Sequence, residues 1–370
     1  MAENKDSKVL SRINAELEKI DKKENRIYFF VIDTKGNPSG SLEYIYKLAY
    51  LLHEENYNVT MLYQEEEFVG VREWLGDKYA DLPHEDIAKD EVNVSPSDIL
   101  FIPELFSNIM TQTKSLPCKR VAILQNYNYV LEQIPMSVQW GDFGIMEAIT
   151  NTDLNAELIK DIFPYIKTTT IKPYIDPMFG KTNTPKELTI NIVAKDQTDI
   201  NKIIKPFYWK YPMYKWVSFK DLRGFPKEHF ANLLREGAIT LWVDEDTNFG
   251  YTPLEAMKSG SIVIAKIPTE EIEWTTNENG QLQNCCVWFN TFHELHRIIA
   301  SVVRGYITDN VPEELIKEAD RVASEYTIEN TKNSLIEYIE KTCTNRKTEI
   351  ESVKKQVENN IETTKEVEND

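Results

Sequence analysis

The stretch FGYTPLEAMKSGSIVIA, at residues 249–265, decides the fold when it is taken with the apolar run AITLWV at 238–243 before it. The apolar run predicts a buried strand, and the segment after Gly250 has the composition of a short helix that ends near Gly260. A second apolar run, SIVIA, follows and predicts another buried strand. Free backbone N–H groups and a partial positive charge lie at the start of such a helix, and both suit a phosphate group. The stretch therefore predicts a strand–helix–strand unit with an anion site, and Glu255 lies near the helix start, where it can reach hydroxyl groups of the same ligand.

The same alternation of strand and helix runs through most of the chain. Apolar runs typical of buried strands fall into two groups, and a proline-bracketed linker at 171–177 lies between the groups. Strands that alternate with helices form a parallel sheet with helices on both faces. The pattern predicts an α/β protein with two Rossmann-like domains and a cleft between them, where ligands bind outside the carboxyl ends of the strands. The predicted strands are 27–32, 58–63, 98–103, 120–124 and 143–149 in the first domain, and 188–194, 213–219, 238–243 and 261–265 in the second.

Both ends of the chain differ in composition from the two domains. The first 25 residues carry a narrow apolar seam on a charged background, which predicts an amphipathic helix that either docks on the domain behind it or mediates self-association. The seam consists of Leu10, Ile13, Leu17 and Ile20. The last 25 residues are rich in Glu, Lys, Asn and Thr, and we expect a solvated, partly helical or disordered tail outside the fold. The predicted division is an N-terminal helix at 1–25, a first domain at 26–172, a second domain at 173–322, C-terminal helices at 323–345 and a charged tail at 346–370.

The charge of the chain is strongly acidic but unevenly distributed. It carries 42 Lys and Arg against 60 Asp and Glu, a formal charge of −18. This charge argues against nucleic acid and against an anionic membrane surface, because both need clustered cations. Residues 41–100 hold 4 cationic and 14 acidic side chains (net −10), whereas residues 181–240 hold 11 and 6 (net +5).

Other features of the composition bear on the compartment. The chain has four cysteines and none is spaced as CxxC, which excludes a disulfide scaffold and a zinc ribbon. No apolar run approaches the roughly 18 residues of a membrane span, and the N-terminal residues lack the apolar core of a signal peptide. We therefore expect a cytoplasmic protein.

The 249–265 stretch resembles the donor-site signature of a large family, the retaining, nucleotide-sugar-dependent glycosyltransferases with the GT-B fold (group 1, family 4-like), usually E-x-F-G-x-x-x-L-E-A-M-A-x-G-x-P-V-I-A. Other segments fall in the family's order, so that the likeness covers about residues 27–340. GNPSG at 36–40 is similar to the family's first loop, IKPYID at 171–176 to its interdomain segment, and FPKEHFANLL at 225–234 to the helix before the signature. The resemblance implies a GT-B fold and the transfer of a sugar from a nucleoside-diphosphate sugar with retention.

Carried over position by position, the resemblance gives each site residue a role. Glu255 is expected to bind the ribose hydroxyls of the donor, and the amides after Gly250 to face its diphosphate. Lys195 stands where the family has a phosphate-binding arginine, and Lys202 is a weaker candidate for the lysine that follows it. The basic segment 181–240 agrees, since a diphosphate leaving group needs charged donors when no metal is present. The full expected set is Glu255, Lys195, Lys202, Gly250, Tyr251 and Thr252 for the donor, Gly36, Ser39 and Gly40 for the acceptor and phosphate loop, and Glu245 and Asp246 for catalysis.

The chain departs from the family at the first glutamate of the signature, where Thr247 stands. Either Glu245 or Asp246, just upstream in a loop that is shorter than usual, takes over the role of that glutamate, or the role is lost. With Asp244, these carboxylates also spell D-x-D, the metal–diphosphate motif of the other major glycosyltransferase fold. The segment that follows them favours GT-B and argues against a manganese site.

Histidines give little additional signal. Gln125 and Asn126 stand after the predicted strand 120–124, where many relatives carry a histidine near the acceptor. His293 and His296 are three residues apart on one predicted helix, which is a weak metal-ligand signal and more often a solvated face. We predict no metal site.

We therefore predict a hexosyltransferase-like enzyme that moves a sugar from a nucleoside-diphosphate sugar to an unidentified glycan, lipid-linked or protein acceptor, without a metal or a further cofactor. Two alternatives stay open. One is a catalytically inactive GT-B-like binding or scaffold protein, which the loss of the glutamate at Thr247 would produce. The other is sugar transfer to nucleic-acid bases. The tyrosines and tryptophans at 208–216, interleaved with lysines, would then form a nucleic-acid surface instead of a core strand with flanking helix ends.

Overall fold

Two parallel β-sheets organise the chain, which the computed structural model describes at residues 2–89, 92–194, 197–244, 249–269 and 271–369. The strands of the first sheet are β1 (Arg26–Phe30), β2 (Asn58–Tyr63), β3 (His84–Asp86), β4 (Ile99–Pro103), β5 (Lys119–Leu124), β6 (Glu147–Thr150) and β7 (Lys167–Thr170). Those of the second sheet are β8 (Glu187–Val193), β9 (Ser218–Asp221), β10 (Gly237–Trp242), β11 (Ile262–Lys266) and β12 (Val287–Phe289).

Neighbouring strands are parallel in both sheets. In the described chain an α-helix lies between most successive strands of a sheet, with β3–β4 and β11–β12 as the exceptions. The strand order is β3-β2-β1-β4-β5-β6-β7 in the first sheet and β12-β11-β10-β8-β9 in the second. Neighbouring parallel strands need a crossover, which a helix usually provides. The two sheets with their helices are Rossmann-like, and the predicted fold class is confirmed. The helices are α1 (Ala2–Asp21), α2 (Gly40–Glu54), α3 (Asp77–Ala80), α4 (Ser107–Gln112), α5 (Tyr127–Gln133), α6 (Asp153–Ile162), α7 (Gln197–Lys210), α8 (Lys227–Glu236), α9 (Tyr251–Lys258), α10 (Phe292–Ile307), α11 (Glu313–Ser324) and α12 (Ile328–Asn369).

Burial on both faces holds the strands in place. All six residues of β10 are buried. Leu241 packs in a core with Ile299 of α10, whereas Trp242 packs in a second core with Leu254 of α9. Each large apolar side chain that is fully buried in this way stabilises the fold by roughly 1.5–3 kcal/mol. Among the helices of the described chain, none combines the length and the apolar composition that crossing a membrane requires.

The sheets differ from the sequence prediction at short or irregular strands. The predicted strand 213–219 begins with a 3-10 turn at Pro212–Tyr214, and β9 starts only at Ser218. The predicted strand 143–149 is likewise shortened, to β6. The sequence pattern did not predict β3, β7 and β12, because these strands have only three or four residues. In β7, with the sequence KTTT, no apolar residue marks the strand.

α12 joins the two domains. Tyr326, just before this helix, packs in the core of the second domain, whereas Leu335 and Ile339 are buried in the core of the first. The helix continues without a break into the predicted tail, where Ile350 is 7% exposed. The expectation of a tail outside the fold from residue 346 is therefore wrong for its first turns, because Ile350 has a packing partner there, whereas Val353 is exposed.

That partner includes α1, which docks on α12 and on the first domain. Ile20 is buried, and the Glu16 carboxylate accepts hydrogen bonds from the Ser97 hydroxyl (2.6 Å) and backbone N–H (3.3 Å). Lys347 of α12 forms an ion pair with Asp21 of α1 at 2.7 Å. The docked arrangement of the N-terminal helix is the one that the structure shows. Within its apolar seam Ile20 is buried, and Leu10, Ile13 and Leu17 are half-buried.

Replacement of Arg346 by alanine is expected to destabilise the protein. The Arg346 guanidinium donates hydrogen bonds to the carbonyl oxygens of Pro96 (2.5 Å) and Pro117, and so ties α12 to the loops before β4 and β5. Loss of hydrogen bonds to a charged group costs about 1.5–3 kcal/mol. Urea denaturation should show this decrease in the free energy of unfolding for Arg346→Ala and little change for Lys355→Ala, at an exposed position of the same helix. Equal stability of the two variants would mean that the Arg346 hydrogen bonds contribute nothing to the stability of the fold.

Candidate functional site

A cavity of about 170 Å³ lies between the two domains, at the carboxyl ends of their strands. The first domain contributes the start of α2 with its capping residue and polar residues that follow β5 and β6, and the second contributes the turn between β10 and α9. The lining residues are Ser39, Gly40, Ser41, Gln125, Asn126, Tyr129, Asn151, Phe249, Gly250 and Tyr251. Ligands of Rossmann-like domains bind at this edge of the sheet. Four of the ten lining residues belong to the set predicted from sequence (Ser39, Gly40, Gly250 and Tyr251), and a fifth, Phe249, is the first residue of the 249–265 stretch.

Gly250 forms the turn at which α9 begins. Its φ angle is +72°, a left-handed conformation that favours glycine. A Cβ atom at this position would lie 3.3 Å from the Trp274 ring, and the Trp274 indole N–H donates a hydrogen bond to the Phe249 carbonyl at 2.6 Å. The helix therefore starts with a residue that offers no side-chain acceptor to the first backbone N–H groups. These groups remain available to an anion.

The first-domain loop meets this turn directly. Ser39 caps α2 by accepting a hydrogen bond from the Leu42 backbone N–H, and a Cβ atom at Gly40 would lie 3.3 Å from the Tyr251 ring. The structure thus brings Ser39 and Gly40 together with Gly250 and Tyr251, as the sequence predicts for one site between two domains. Two further residues that the sequence predicts for these two segments, Gly36 and Thr252, do not line the cavity. Gly36 lies near Val69 and Glu73, and Thr252 is half-buried on α9.

A buried network of four charged side chains connects the domains beside this cavity. Lys227 of α8 contacts Glu255 of α9 at 2.5 Å and Glu43 of α2 at 2.7 Å. Lys47, one turn after Glu43, contacts it at 2.6 Å and donates a hydrogen bond to the Tyr174 carbonyl at 3.1 Å. The side chains of Glu43, Lys47 and Glu255 are at most 4% exposed and that of Lys227 is 14% exposed. Two carboxylates and two ammonium groups therefore neutralise each other across the domain boundary.

The network sets the protonation of its members. Burial by itself would raise the pKa of Glu43, but the ammonium groups of Lys227 and Lys47 outweigh burial and lower this pKa to about 2. Burial would lower the pKa of Lys227, yet the carboxylates of Glu255 and Glu43 raise it. Burial raises the pKa of Glu255 and the nearby Glu43 carboxylate raises it further, and the opposing effect of the Lys227 and Lys47 ammonium groups does not reverse this shift. Glu255 is therefore the carboxylate of the network that takes up a proton first.

The position of Glu255 adds a condition to its predicted role. Glu255 is 1% exposed and its carboxylate contacts the Lys227 ammonium group, so the ribose of a donor can reach the carboxylate only if this ion pair separates. Binding of ribose hydroxyls by Glu255 stays a prediction. The sequence analysis did not identify Glu43, Lys47 or Lys227 as part of the site. A signal was present, since Glu43 and Lys47 are four residues apart and interrupt the otherwise apolar run of α2.

A buried carboxylate also supports the first-domain side of the cavity. Glu104, directly after β4, accepts hydrogen bonds at Oε1 from the backbone N–H groups of Gln125 (3.0 Å) and Asn126 (2.8 Å). Its Oε2 atom has no hydrogen-bond partner within the described part of the chain. Burial raises the pKa of Glu104 to about 7. The Asn155 side chain completes this support by donating hydrogen bonds to the Gln125 carbonyl (3.0 Å) and to Oδ1 of Asn151 (2.7 Å).

The remaining predicted residues lie elsewhere or outside the described residues. Lys195, Glu245, Asp246 and Thr247 belong to the latter, so their proposed roles stay predictions. Lys202 is exposed on α7, with its ammonium group 5.6 Å from the centre of the Phe292 ring, and does not line the cavity.

Histidines do not assemble a metal site in the described chain. His296 is buried and hydrogen-bonded to the Lys202 carbonyl, whereas His293 is exposed. The described residues contain no group of three His, Cys, Asp or Glu side chains placed to hold a metal ion.

Replacement of Lys227 by methionine is expected to destabilise the protein strongly. The variant leaves Glu43 and Glu255 buried near each other without their shared cation, and loss of one partner of a buried pair costs about 3–5 kcal/mol. Urea denaturation at neutral pH measures the difference from wild type. Lys167→Met, at an exposed position, is the control. In the double variant Lys227→Met/Glu255→Gln part of the stability should return, and its failure to do so would show that lost packing, not charge, causes the effect.

Glu104→Gln is expected to change how stability depends on pH. The folded protein holds the Glu104 proton up to about pH 7 whereas the unfolded chain releases it near 4.5. The folded state therefore binds more protons between these values, and this group lowers the free energy of unfolding as the pH rises through that window. At 1.36 kcal/mol per pKa unit, the contribution is about 3 kcal/mol at most.

The glutamine oxygen still accepts the two backbone hydrogen bonds, so the variant should fold and lose this pH dependence. Denaturation curves of wild type and variant at several pH values between 5 and 8 give the difference directly. The exposed Glu132→Gln serves as the control and should follow wild type. Parallel curves for wild type and Glu104→Gln would place the Glu104 pKa outside this range.

Comparisons with known proteins identify the fold. No protein-family model matches the chain, and no curated protein matches it in sequence. The structure of the pneumococcal O-GlcNAc transferase GtfA in complex with UDP and GlcNAc is similar with a TM-score of 0.60, at 11% identity, over 87% of this chain and 99% of that one. Sucrose-phosphate synthase from Thermosynechococcus elongatus has a TM-score of 0.58, at 11% identity, over 86% and 99% of the two chains.

Anabaena HepE in complex with UDP and glucose gives a TM-score of 0.55, at 12% identity, over 85% of this chain and 98% of that one. Such low identity compares folds and not individual residues. The agreement extends over nearly the whole length of each of these structures. The chain therefore has the GT-B fold of nucleotide-sugar glycosyltransferases, as its 249–265 segment predicts.

Proposed function

We propose that this protein is a hexosyltransferase-like enzyme that transfers a sugar from a nucleoside-diphosphate sugar to a hydroxyl-bearing acceptor. The observation that carries the proposal is the meeting of Gly250 and the start of α9 with Ser39 and Gly40 across one interdomain cavity. UDP is the first nucleotide to test, because two of the similar structures contain it. Retention of the sugar configuration and independence of metals belong to the proposal, on the strength of the family resemblance alone.

In the proposed reaction the protein stabilises the departing diphosphate. Negative charge develops on this group as the sugar–oxygen bond breaks, and the uncapped N–H groups and dipole of α9 favour such charge. Glycine at 250 lets a phosphate approach the backbone closely. Lys195 is proposed to add positive charge, and Glu245 or Asp246 to act near the donor sugar.

Donor binding is proposed to open the buried network. Glu255 exchanges the Lys227 ammonium for the ribose hydroxyls, and Lys227 also holds Glu43 of the other domain. The exchange therefore loosens a contact between the domains at the moment when the donor enters. Such coupling between ligand and domain motion is common in enzymes that close around a substrate.

The acceptor is proposed to be uncharged where it enters the cavity. The first-domain wall presents neutral polar groups from Gln125, Asn126, Tyr129 and Asn151, and none of the described residues that line the cavity carries a charge. Amide and phenol groups pair well with sugar or alcohol hydroxyls. A glycan, a lipid-linked sugar and a protein hydroxyl all satisfy this requirement.

UDP is expected to stabilise the protein without added metal. At about 100 times its dissociation constant a ligand that binds the folded state adds roughly 2.7 kcal/mol to the free energy of unfolding. Thermal unfolding with UDP, GDP and ADP, each with EDTA or with manganese, measures this effect. Glu255→Gln should weaken the stabilisation, whereas Glu132→Gln should leave it unchanged.

Donor hydrolysis separates an enzyme from an inactive binding protein. Glu245→Gln or Asp246→Asn should lower the hydrolysis of the preferred UDP-sugar about 100-fold, near 2.7 kcal/mol of transition-state stabilisation, while nucleotide binding persists. Stabilisation only with manganese that disappears in Asp246→Ala would support the D-x-D alternative. Nucleotide binding by a wild-type protein that neither hydrolyses nor transfers any sugar would support the scaffold alternative.

A further inference from the structure

The aromatic segment at 208–216 divides into half-buried tyrosines and exposed tryptophans. The Phe207 ring lies in the core of the second domain, and the rings of Tyr208, Tyr211 and Tyr214 surround it at centroid distances of 5.8, 5.7 and 6.1 Å. The Tyr208 hydroxyl donates a hydrogen bond to the Val217 carbonyl at 2.6 Å. The interpretation as a core strand with flanking helix ends is therefore correct in that the tyrosines pack against the core. It is wrong for the strand, which begins only at Ser218, and it does not account for the tryptophans.

Three large apolar side chains in the same segment face solvent. Trp209 is 78% exposed, Met213 is 64% exposed and Trp216 is 61% exposed. They lie within eight residues, at the end of α7 and in the turn before β9. Side chains of this size usually gain stability from burial. A cluster left in water is typical of a surface that contacts a partner.

The surroundings of these side chains are basic. Residues 200–220 contain five lysines and no acidic residue, in a chain whose net charge is −18. Lys205, Lys210 and Lys215 are exposed. Lys205 precedes Trp209 by one helical turn, so the two share a face of α7. We call the six residues Lys205, Trp209, Lys210, Met213, Lys215 and Trp216 the Trp209–Trp216 patch.

The patch lies away from the cleft. It precedes β9, an edge strand, and therefore stands at the amino ends of the second sheet, whereas the cleft is at the carboxyl ends. α7 has 14 residues, so its length of about 21 Å separates the two ends. These lysines thus cannot serve a diphosphate in the cleft, and the interpretation of the whole basic segment 181–240 as a donor site is wrong for them.

We propose that the Trp209–Trp216 patch docks the second domain on an anionic lipid surface. Lysines near such a surface are attracted by its negative potential, and tryptophan is favoured at the boundary, where its ring reaches the acyl chains and its N–H the headgroups. Such a surface offers negative charge and apolar chains together, and so matches both the lysines and the three apolar side chains. Single-stranded nucleic acid binds in grooves that follow its backbone, whereas this patch is a helix end and a turn.

Vesicle binding by the full chain tests the proposal. Flotation with vesicles of phosphatidylcholine, with or without about one third phosphatidylglycerol, should show binding only to the anionic vesicles, and raised salt should weaken it. Lys210→Gln/Lys215→Gln should weaken binding roughly tenfold to thirtyfold. Trp209→Ser/Trp216→Ser should weaken it by at least roughly tenfold, because the apolar contribution is lost while the charge is unchanged.

Matched variants distinguish the patch from general effects. Lys160→Gln/Lys167→Gln and Leu131→Ser/Met136→Ser change the same kinds of exposed side chain on the first domain and should bind vesicles as wild type does. Failure of wild type to bind anionic vesicles overturns the proposal, as does full binding by both patch variants. A patch-dependent complex with a single-stranded oligonucleotide, or patch-dependent dimerisation, in the absence of vesicle binding would assign the patch to another partner.

Discussion

The ammonium group of Lys227 lies between two carboxylates from different domains, and the geometry of the cleft depends on it. Glu43 belongs to the first helix of the first domain and Glu255 to the helix that begins at Gly250. Charges removed from water to this extent persist only with partners at contact distance. The three groups must therefore stay together or become hydrated together. The relative position of the domains and the availability of Glu255 are consequently set by the same contacts.

The two walls of the cavity are built by different physical means. The second-domain wall is a helix start that a left-handed glycine leaves uncapped, so it attracts anions through backbone groups alone. The first-domain wall includes a neutral polar loop, and the buried Glu104 carboxylate fixes the position of this loop by accepting two backbone hydrogen bonds from it. In the proposed reaction, an anionic donor and an uncharged acceptor would therefore be directed to opposite walls. The buried charges beside the cavity compensate each other and do not disturb this division.

Sequence patterns predicted the fold well wherever apolar periodicity was long. Most of the longer strands and the 249–265 unit follow from burial on both faces, which leaves an uninterrupted apolar run. Short half-exposed strands such as β7 leave no such run, because their neighbours and not their composition define them. The extent of α12 could not be predicted either, since it depends on α1, which is over 300 residues away.

The site was predictable in part, and for a comparable reason. Gly250 and Gly40 carry a local signal, because each sits in a turn next to a helix start. The Lys227 network depends on three helices distant in sequence, so no single segment contains its pattern. The same holds for Glu104. A single glutamate after a strand does not indicate a site by itself, and its role appears only when the backbone after β5 donates hydrogen bonds to it.

Positive and negative charge are concentrated in different domains, which the total charge of −18 does not show. The most acidic stretch, residues 41–100, belongs to the first domain, and its buried charges Glu43 and Lys47 neutralise each other, so its net −10 is carried by the other side chains. The five lysines of residues 200–220 belong to the second domain, with the patch at the sheet edge opposite the cleft. A negative surface attracts that edge and repels the first domain. Because attraction and repulsion act on different domains, the molecule would be held with its first domain turned away from such a surface, and the cleft would remain accessible to a donor and an acceptor from solution.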